Sequence, residues 1–203
     1  EVVDLPLIRR VALTGRPMII STGMANKKEI GDAIKTAKDN GCKELVVLHC
    51  ISGYPTPPEQ YNLATIADIS GRFNVLAGLS DHTIDNATAI AAIALGACLI
   101  EKHVTLDRSG GGADDSFSIE PKELRALCKD AKTAWRAVGA VNYERSEAEK
   151  ENVKFRRSLY VVKKIEKGEM FTDENIRSIR PGFGIAPKFY DDVLGKKATA
   201  LIE

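Results

Sequence analysis

A chain of 203 residues can form one large domain or a domain and a half, and its 44% hydrophobic and 28% charged content is that of a globular protein able to bury a core. The 29 basic residues against 28 acidic ones leave a formal charge of +1, which removes the electrostatic reason to expect nucleic acid or an anionic membrane as a partner. No apolar stretch is long enough to span a bilayer, and the opening EVVDLPLIRRV reads as the middle of a domain rather than a signal peptide.

In chain order, four short apolar runs recur: MIIS (18–21), ELVVLHC (44–50), NVLAGLS (74–80) and ACLIEKHV (97–104). Each is continuous rather than alternating, as parallel strands covered on both faces require. The first is followed by a helix that Asn26 can cap, with Ile30, Ala33, Ile34 and Ala37 on one stripe and Gly41 closing it. A second helix is expected over 57–70. A third, ATAIAAIALG, is apolar nearly all round and should pack tightly on the sheet. A fourth begins at Pro121, with Leu124, Leu127, Cys128, Ala131, Trp135 and Val138 at helical spacing and Trp135 expected in the core. Strand and helix alternate with a period of roughly 25 residues, which indicates βα units and a parallel sheet. Four such units make the C-terminal half of an eight-stranded (β/α)8 barrel, an α/β fold, over residues 1–139.

The pattern changes after Gly139. Residues 140–157, VNYERSEAEKENVKFRR with its flank, are charged and poorly periodic and read as a linker. Residues 158–203 alternate in places, carry turn signals and suggest part of a small β-rich module. Cys42, Cys50, Cys98 and Cys128 are widely spaced with no CxxC pair, so they read as small reduced core residues, consistent with a cytoplasmic protein.

Barrel active sites gather at the C-terminal ends of strands. The candidates there are Ser21 after the first strand, then His49, Ser52 and Tyr54 about the second, Ser80 to His82 after the third and Glu101 to His103 after the fourth. If consecutive runs are neighbours, His82 and His103 could converge on one ion. Two imidazoles suit Mn²⁺, Zn²⁺ or Fe²⁺ and leave positions open for water and substrate. Spacing alone equally allows two hydrogen-bonded or surface histidines. His49 precedes its strand's end and reads as structural. Ser21 in STGMA could face a phosphate, or could simply close a strand-to-helix turn.

Taken together, STGMA, LHCISGYPTP, GLSDHT, ALGACLIEKHVTLDR and GGADDSFSIEP, in this order and spacing, resemble the sialic acid synthase family, and RRSLYVV, KIEKGEMFT and SIRPGFG resemble the start of its C-terminal antifreeze-like (SAF) domain. The resemblance implies an enzyme that condenses phosphoenolpyruvate with an N-acetylated aldose to a nine-carbon nonulosonic acid and phosphate. It implies a divalent metal, foremost Mn²⁺, held by His82 and His103 and acting as a Lewis acid on the sugar aldehyde. It places Ser21 and Ser80 at phosphoenolpyruvate, and Tyr54, Asp114 and Glu1 at the sugar. Ser52 stands where the family commonly has asparagine and is also expected at the substrate. Arg180 matches an arginine that the SAF domain inserts into the partner subunit's site, which implies a domain-swapped homodimer. The loop GGADDSFSIEP, with FRRSLYVV and RSIRPGFG, resembles pseudaminic acid synthases more than N-acetylneuraminate synthases, which remain the alternative; a metal-dependent aldolase or a non-catalytic sugar-binding fragment are more distant ones. In the family, an earlier half-barrel supplies a catalytic glutamate and phosphoenolpyruvate-binding lysines, so the chain alone is expected to be inactive and prone to self-association.

Overall fold

The computed structural model describes all 203 residues and divides into two units, Glu1–Ala140 and Val141–Glu203. The first unit opens with a helix not among the expected elements, α1 (Leu5–Ala12), although Leu5, Ile8 and Ala12 fall at helical spacing; Asp4 caps it by accepting from the Leu7 N–H at 3.0 Å, with Pro6 in its first turn. The strands follow as β1 (Met18–Ser21), β2 (Leu45–Cys50), β3 (Leu76–Asp81) and β4 (Ile100–Lys102), all parallel and in spatial order β1-β2-β3-β4. Between and after them lie α2 (Lys27–Asp39), α3 (Thr65–Phe73), α4 (Ala87–Ala94) and α5 (Pro121–Val138). This is half of a parallel βα barrel, with β1 and β4 as its two edges.

Alternation along the strands separates two faces. Met18, Ile20, Leu45, Val47, Ala77 and Leu79 pack against Ile30, Ala33, Ile34, Ile66 and Ile69 in the main core. The other face carries Ile19, Leu76 and Glu101, all exposed, with Leu48 and Ser80 between them. Ile19 at 56% exposure shows that this inward face has nothing packed on it at the β1 edge.

Three helices depart from expectation. The 57–70 segment is not one helix: a single 3₁₀ turn forms at Pro58–Gln60, Asn62 then takes a left-handed conformation (φ 47°), and α3 starts only at Thr65. Consecutive prolines lack the N–H groups a continuous helix needs. The helix α4 buries only Thr88, Ala89 and Ala92, one stripe rather than its whole circumference. In α5, Leu127 joins Ala89 and Ile119 in a second small cluster, but Trp135 is 68% exposed rather than core. It borders an open cleft that Ile93, Ala94, Gly96 and Ala97 line from the α4 side without covering the indole. Of the cysteines, Cys42 and Cys50 are buried as expected, while Cys98 and Cys128 are exposed; all four are free thiols.

In the second unit, the charged stretch read as a linker contains a short helix, α6 (Glu147–Lys150), and a 3₁₀ turn to Phe155. An antiparallel pair follows, β5 (Ser158–Val161) with β6 (Ile176–Ile179), then a one-turn helix, α7 (Tyr190–Val193). Ile165, Ile176 and Ala198 form its core, closed by Phe171, Tyr190 and Ile202. Arg180 follows β6 and is exposed. No helix of the chain is long and apolar enough to cross a membrane.

Candidate functional site

The parallel register puts the ends of β3 and β4 side by side, pairing Ser80 with Glu101 and Asp81 with Lys102. One residue further on each strand stand His82 and His103, whose ring centroids lie 5.3 Å apart. His82 is buried, and its Nδ1 is 2.8 Å from the carbonyl oxygen of Ile51. A carbonyl only accepts, so Nδ1 carries a proton and Nε2 is the nitrogen left to face an ion. His103 is a third exposed, and its Nδ1 is 3.4 Å from Asp114 Oδ2, which orients this ring in the same sense. Two imidazoles with their Nδ1 sides engaged and their Nε2 sides free form a donor set that fits a divalent ion. No cluster of three or more His, Cys, Asp or Glu side chains accompanies them, so such an ion would keep several positions open.

Aromatic rings wall this pair. Tyr54 lies 4.3 Å from His82 and 5.8 Å from His103, centroid to centroid, and Phe117 lies 5.2 Å from both Tyr54 and His103. Below them, Tyr61 is wholly buried, and its hydroxyl accepts the His82 backbone N–H at 2.6 Å. Burial pushes the Tyr61 phenol up to about 12, so it stays a neutral hydroxyl here.

Ser80 Oγ donates to Glu101 Oε1 at 2.8 Å on the inward face. Ser21 ends β1, and it shares a cleft of about 410 Å³ with Glu1 and Glu101. Ser52 lies against the β1–α2 turn, where a Cβ on Gly23 would meet its Oγ at 2.2 Å; the glycine is required by this close approach. Asp114 sits on the loop from β4 to α5. Its neighbour Asp115 points back into that loop, accepting from the Gly112 N–H at 2.7 Å and from Thr105 Oγ1 at 2.6 Å. A Cβ on Gly112 would meet that carboxylate at 2.9 Å, so the glycine-rich run is the space Asp115 fills. His49 faces the helices, with Nε2 2.5 Å from the Tyr61 carbonyl oxygen, the structural placement expected for it.

The structure thus brings His82, His103, Tyr54 and Asp114 together, sets Ser80 beside them on the same strand end, and groups Ser21 with Glu1. Arg180 stands in the second unit. Sequence reasoning overlooked Phe117, Tyr61 and the partnership of Ser80 with Glu101. The last was within reach, because period-two alternation through GLSDHT and LIEKHV puts Ser80 and Glu101 on one face. The other two depend on loop paths that no local pattern encodes.

A half-barrel with polar groups gathered at its strand ends places the chain in the βα-barrel class by architecture, with its candidate site where such barrels build theirs. The comparisons with known proteins narrow this. The NeuB family model matches residues 1–143 and the SAF domain model matches residues 156–203. The chain belongs to the NeuB family and carries a SAF domain after it. It is 40% identical to the pseudaminic acid synthase of Campylobacter jejuni subsp. jejuni (strain 81-176) over 203 residues, all of this chain and 59% of that protein. It is 39% identical to the N,N'-diacetyllegionaminic acid synthase of a second Campylobacter jejuni strain, with 98% of this chain and 60% of that protein covered. The crystal structure of the N-acetylneuraminic acid synthetase of Leptospira borgpetersenii, a citrate complex, superposes with a TM-score of 0.69 at 32% identity, over 75% of this chain and 53% of that one. The chain spans about 60% of the length of the curated relatives it matches.

Proposed function

We propose that the protein is a nonulosonic acid synthase that joins phosphoenolpyruvate to an N-acetylated aldose, releasing phosphate, with a diacetamido-altrose as acceptor and pseudaminic acid as product. The observation that carries this reading is the His82–His103 pair at adjacent strand ends, each ring with its Nδ1 side engaged and walled by Tyr54 and Phe117. The relatives support the class but not the sugar: 40% identity to one synthase and 39% to another cannot separate two acceptors. The choice of pseudaminic acid rests on the loop GGADDSFSIEP together with FRRSLYVV and RSIRPGFG. N-acetylneuraminate synthesis from N-acetylmannosamine is the alternative the test below must separate.

In the reaction, C3 of phosphoenolpyruvate forms a bond to the aldehyde carbon, water adds at C2, and the C2–O bond breaks as phosphate leaves. A divalent ion held by His82 and His103, Mn²⁺ for preference, would supply Lewis-acid polarisation at the aldehyde oxygen. Ser80 and Glu101 face inward beside that point, where a hydroxyl and a carboxylate can orient the enol ether and its attacking water. Tyr54 and Phe117 offer an apolar wall that keeps bulk water off the acceptor's reacting end. Asp114 lies with one oxygen near His103, and the other is free to accept from a sugar hydroxyl. Ser21, Ser52 and Glu1 complete the proposed substrate contacts. The proposal further includes a cytoplasmic homodimer in which Arg180 serves the partner's site. The activity belongs to the protein with a complete barrel; this chain, with both sheet edges open, is proposed to be inactive alone.

The test is phosphate release from phosphoenolpyruvate by the complete-barrel protein with Mn²⁺, offered the diacetamido-altrose and N-acetylmannosamine in parallel. Release with the altrose sugar alone is expected. Release with N-acetylmannosamine alone overturns the acceptor and keeps the reaction. Silence with both, in protein that binds Mn²⁺, overturns the reaction.

A further inference from the structure

Asp81 and Lys102 form an ion pair sealed from solvent: their side chains are 0% and 4% exposed, and Nζ lies 2.8 Å from Oδ2. Both charges are fully bonded. Lys102 Nζ also donates to the Thr83 carbonyl at 2.5 Å and to Thr83 Oγ1 at 3.2 Å, while Asp81 Oδ1 accepts from the Thr83 N–H at 2.9 Å and its hydroxyl at 2.8 Å. A buried pair of this kind adds little to stability compared with apolar side chains of the same volume, because both ions must leave water. Net stability is therefore a weak reason for its presence.

Its position supplies another. Asp81 immediately precedes His82, and Lys102 immediately precedes His103. Asp81 and Thr83 close on each other around His82, an Asx-type turn with the histidine at its apex. Lys102 then ties that turn to β4. His82 has two further polar restraints, at Ile51 and Tyr61, whereas the His103 ring has one polar contact, Asp114 at 3.4 Å, beside its aromatic neighbours Tyr54 and Phe117. The strand that leads into His103 is three residues long and lies at the sheet edge. Past Lys102 the backbone is held by Ile119, whose N–H donates to the His103 carbonyl oxygen at 2.9 Å, and the Lys102 ion pair adds a side-chain tie between this end and the His82 turn.

We propose that Asp81 and Lys102, with Thr83, are a positioning unit that sets the separation and direction of the His82 and His103 rings, and so the affinity of the site for a divalent ion. This rests on the metal-dependent reading given above. The unit touches neither substrate nor ion.

The test measures Mn²⁺ binding to the intact protein from the electron paramagnetic resonance signal of the free ion. His82→Ala and His103→Ala are expected to lose binding. Asp81→Asn/Lys102→Met removes both charges together and is expected to stay folded by circular dichroism yet bind Mn²⁺ about 10–100-fold more weakly. Lys102→Arg, which keeps a buried cation, should bind within about threefold of the natural protein, and Thr83→Val should fall between. A folded double variant whose affinity stays within about twofold of the natural protein makes the pair merely structural and overturns the proposal. Should the double variant not fold, unchanged affinity in Thr83→Val overturns it equally. Unchanged binding in both histidine variants instead overturns the metal site itself, and the positioning unit with it.

Discussion

Tyr61 shows how a residue remote along the chain from any strand end can govern the site. Its ring fills the core, and its hydroxyl is the partner of the His82 backbone N–H. Removing the hydroxyl leaves that N–H buried and unpaired, which costs about 1–3 kcal/mol. Tyr61→Phe should therefore lower stability by about that amount in urea unfolding, with the slope unchanged. The pH dependence follows from the raised phenol, whose ordinary value is 10.0 and whose folded value is about 12. Because the folded value lies above the unfolded one, this contribution is complete below pH 10 and is lost as pH rises through 12. In an ultraviolet titration Tyr61 should be the last tyrosine to ionise, and Tyr61→Phe should remove that final step; a step that survives in the variant contradicts the assignment. At this scale the sequence displayed the histidines because strand-end polarity is local. It hid Tyr61 because Asn62 and the paired prolines bend the chain in a way that apolar spacing does not report.

The element that differs most from a bare barrel unit is the loop joining β4 to α5, which carries Asp114 and Phe117. Its geometry is held at two points. Asp115 organises the glycine-rich turn from inside, and Arg108 pins the loop to the first turn of α5 by donating from its backbone N–H to Glu120 at 3.1 Å and from its guanidinium to Glu123 at 2.5 Å. Glu123 also accepts the Glu120 N–H at 2.8 Å, closing a capping box. That N–H first, and Arg108 second, hold the Glu123 carboxyl below its ordinary 4.5. A depressed carboxyl stabilises above its unfolded value and ceases to do so as pH falls through the folded one. Glu123→Gln should therefore melt below the natural protein at neutral pH, and the two melting points should converge below pH 4.5. A gap that persists there assigns the stabilisation to packing. Legibility follows the same division between local and long-range causes. The helix α2 was readable because Asn26, the Ile30–Ala37 stripe and Gly41 are all local signals, and the parallel strands because buried runs are continuous. Trp135 was misplaced because helical spacing says which face a residue occupies, not whether large enough side chains stand opposite.

At the scale of the whole molecule, the proposed dimer makes a prediction that neither unit makes alone. If Arg180 acts in the partner's site, each active site draws His82 and His103 from one subunit and Arg180 from the other. Variants lacking either should be inactive as pure dimers: Arg180→Ala because neither site receives the arginine, His82→Ala because neither holds the ion. Mixed and allowed to exchange subunits, they form hybrids in which both lesions fall on one site and the other site is intact. With random pairing half of the dimers are hybrids, so phosphate release should recover to roughly a quarter of the natural rate. An arginine acting within its own subunit allows no such recovery, because every site in every hybrid then carries one lesion. The experiment needs the complete-barrel protein and no structure of the complex. It separates an arginine supplied by the partner from one that serves its own chain, and persistent inactivity after demonstrated exchange excludes the former.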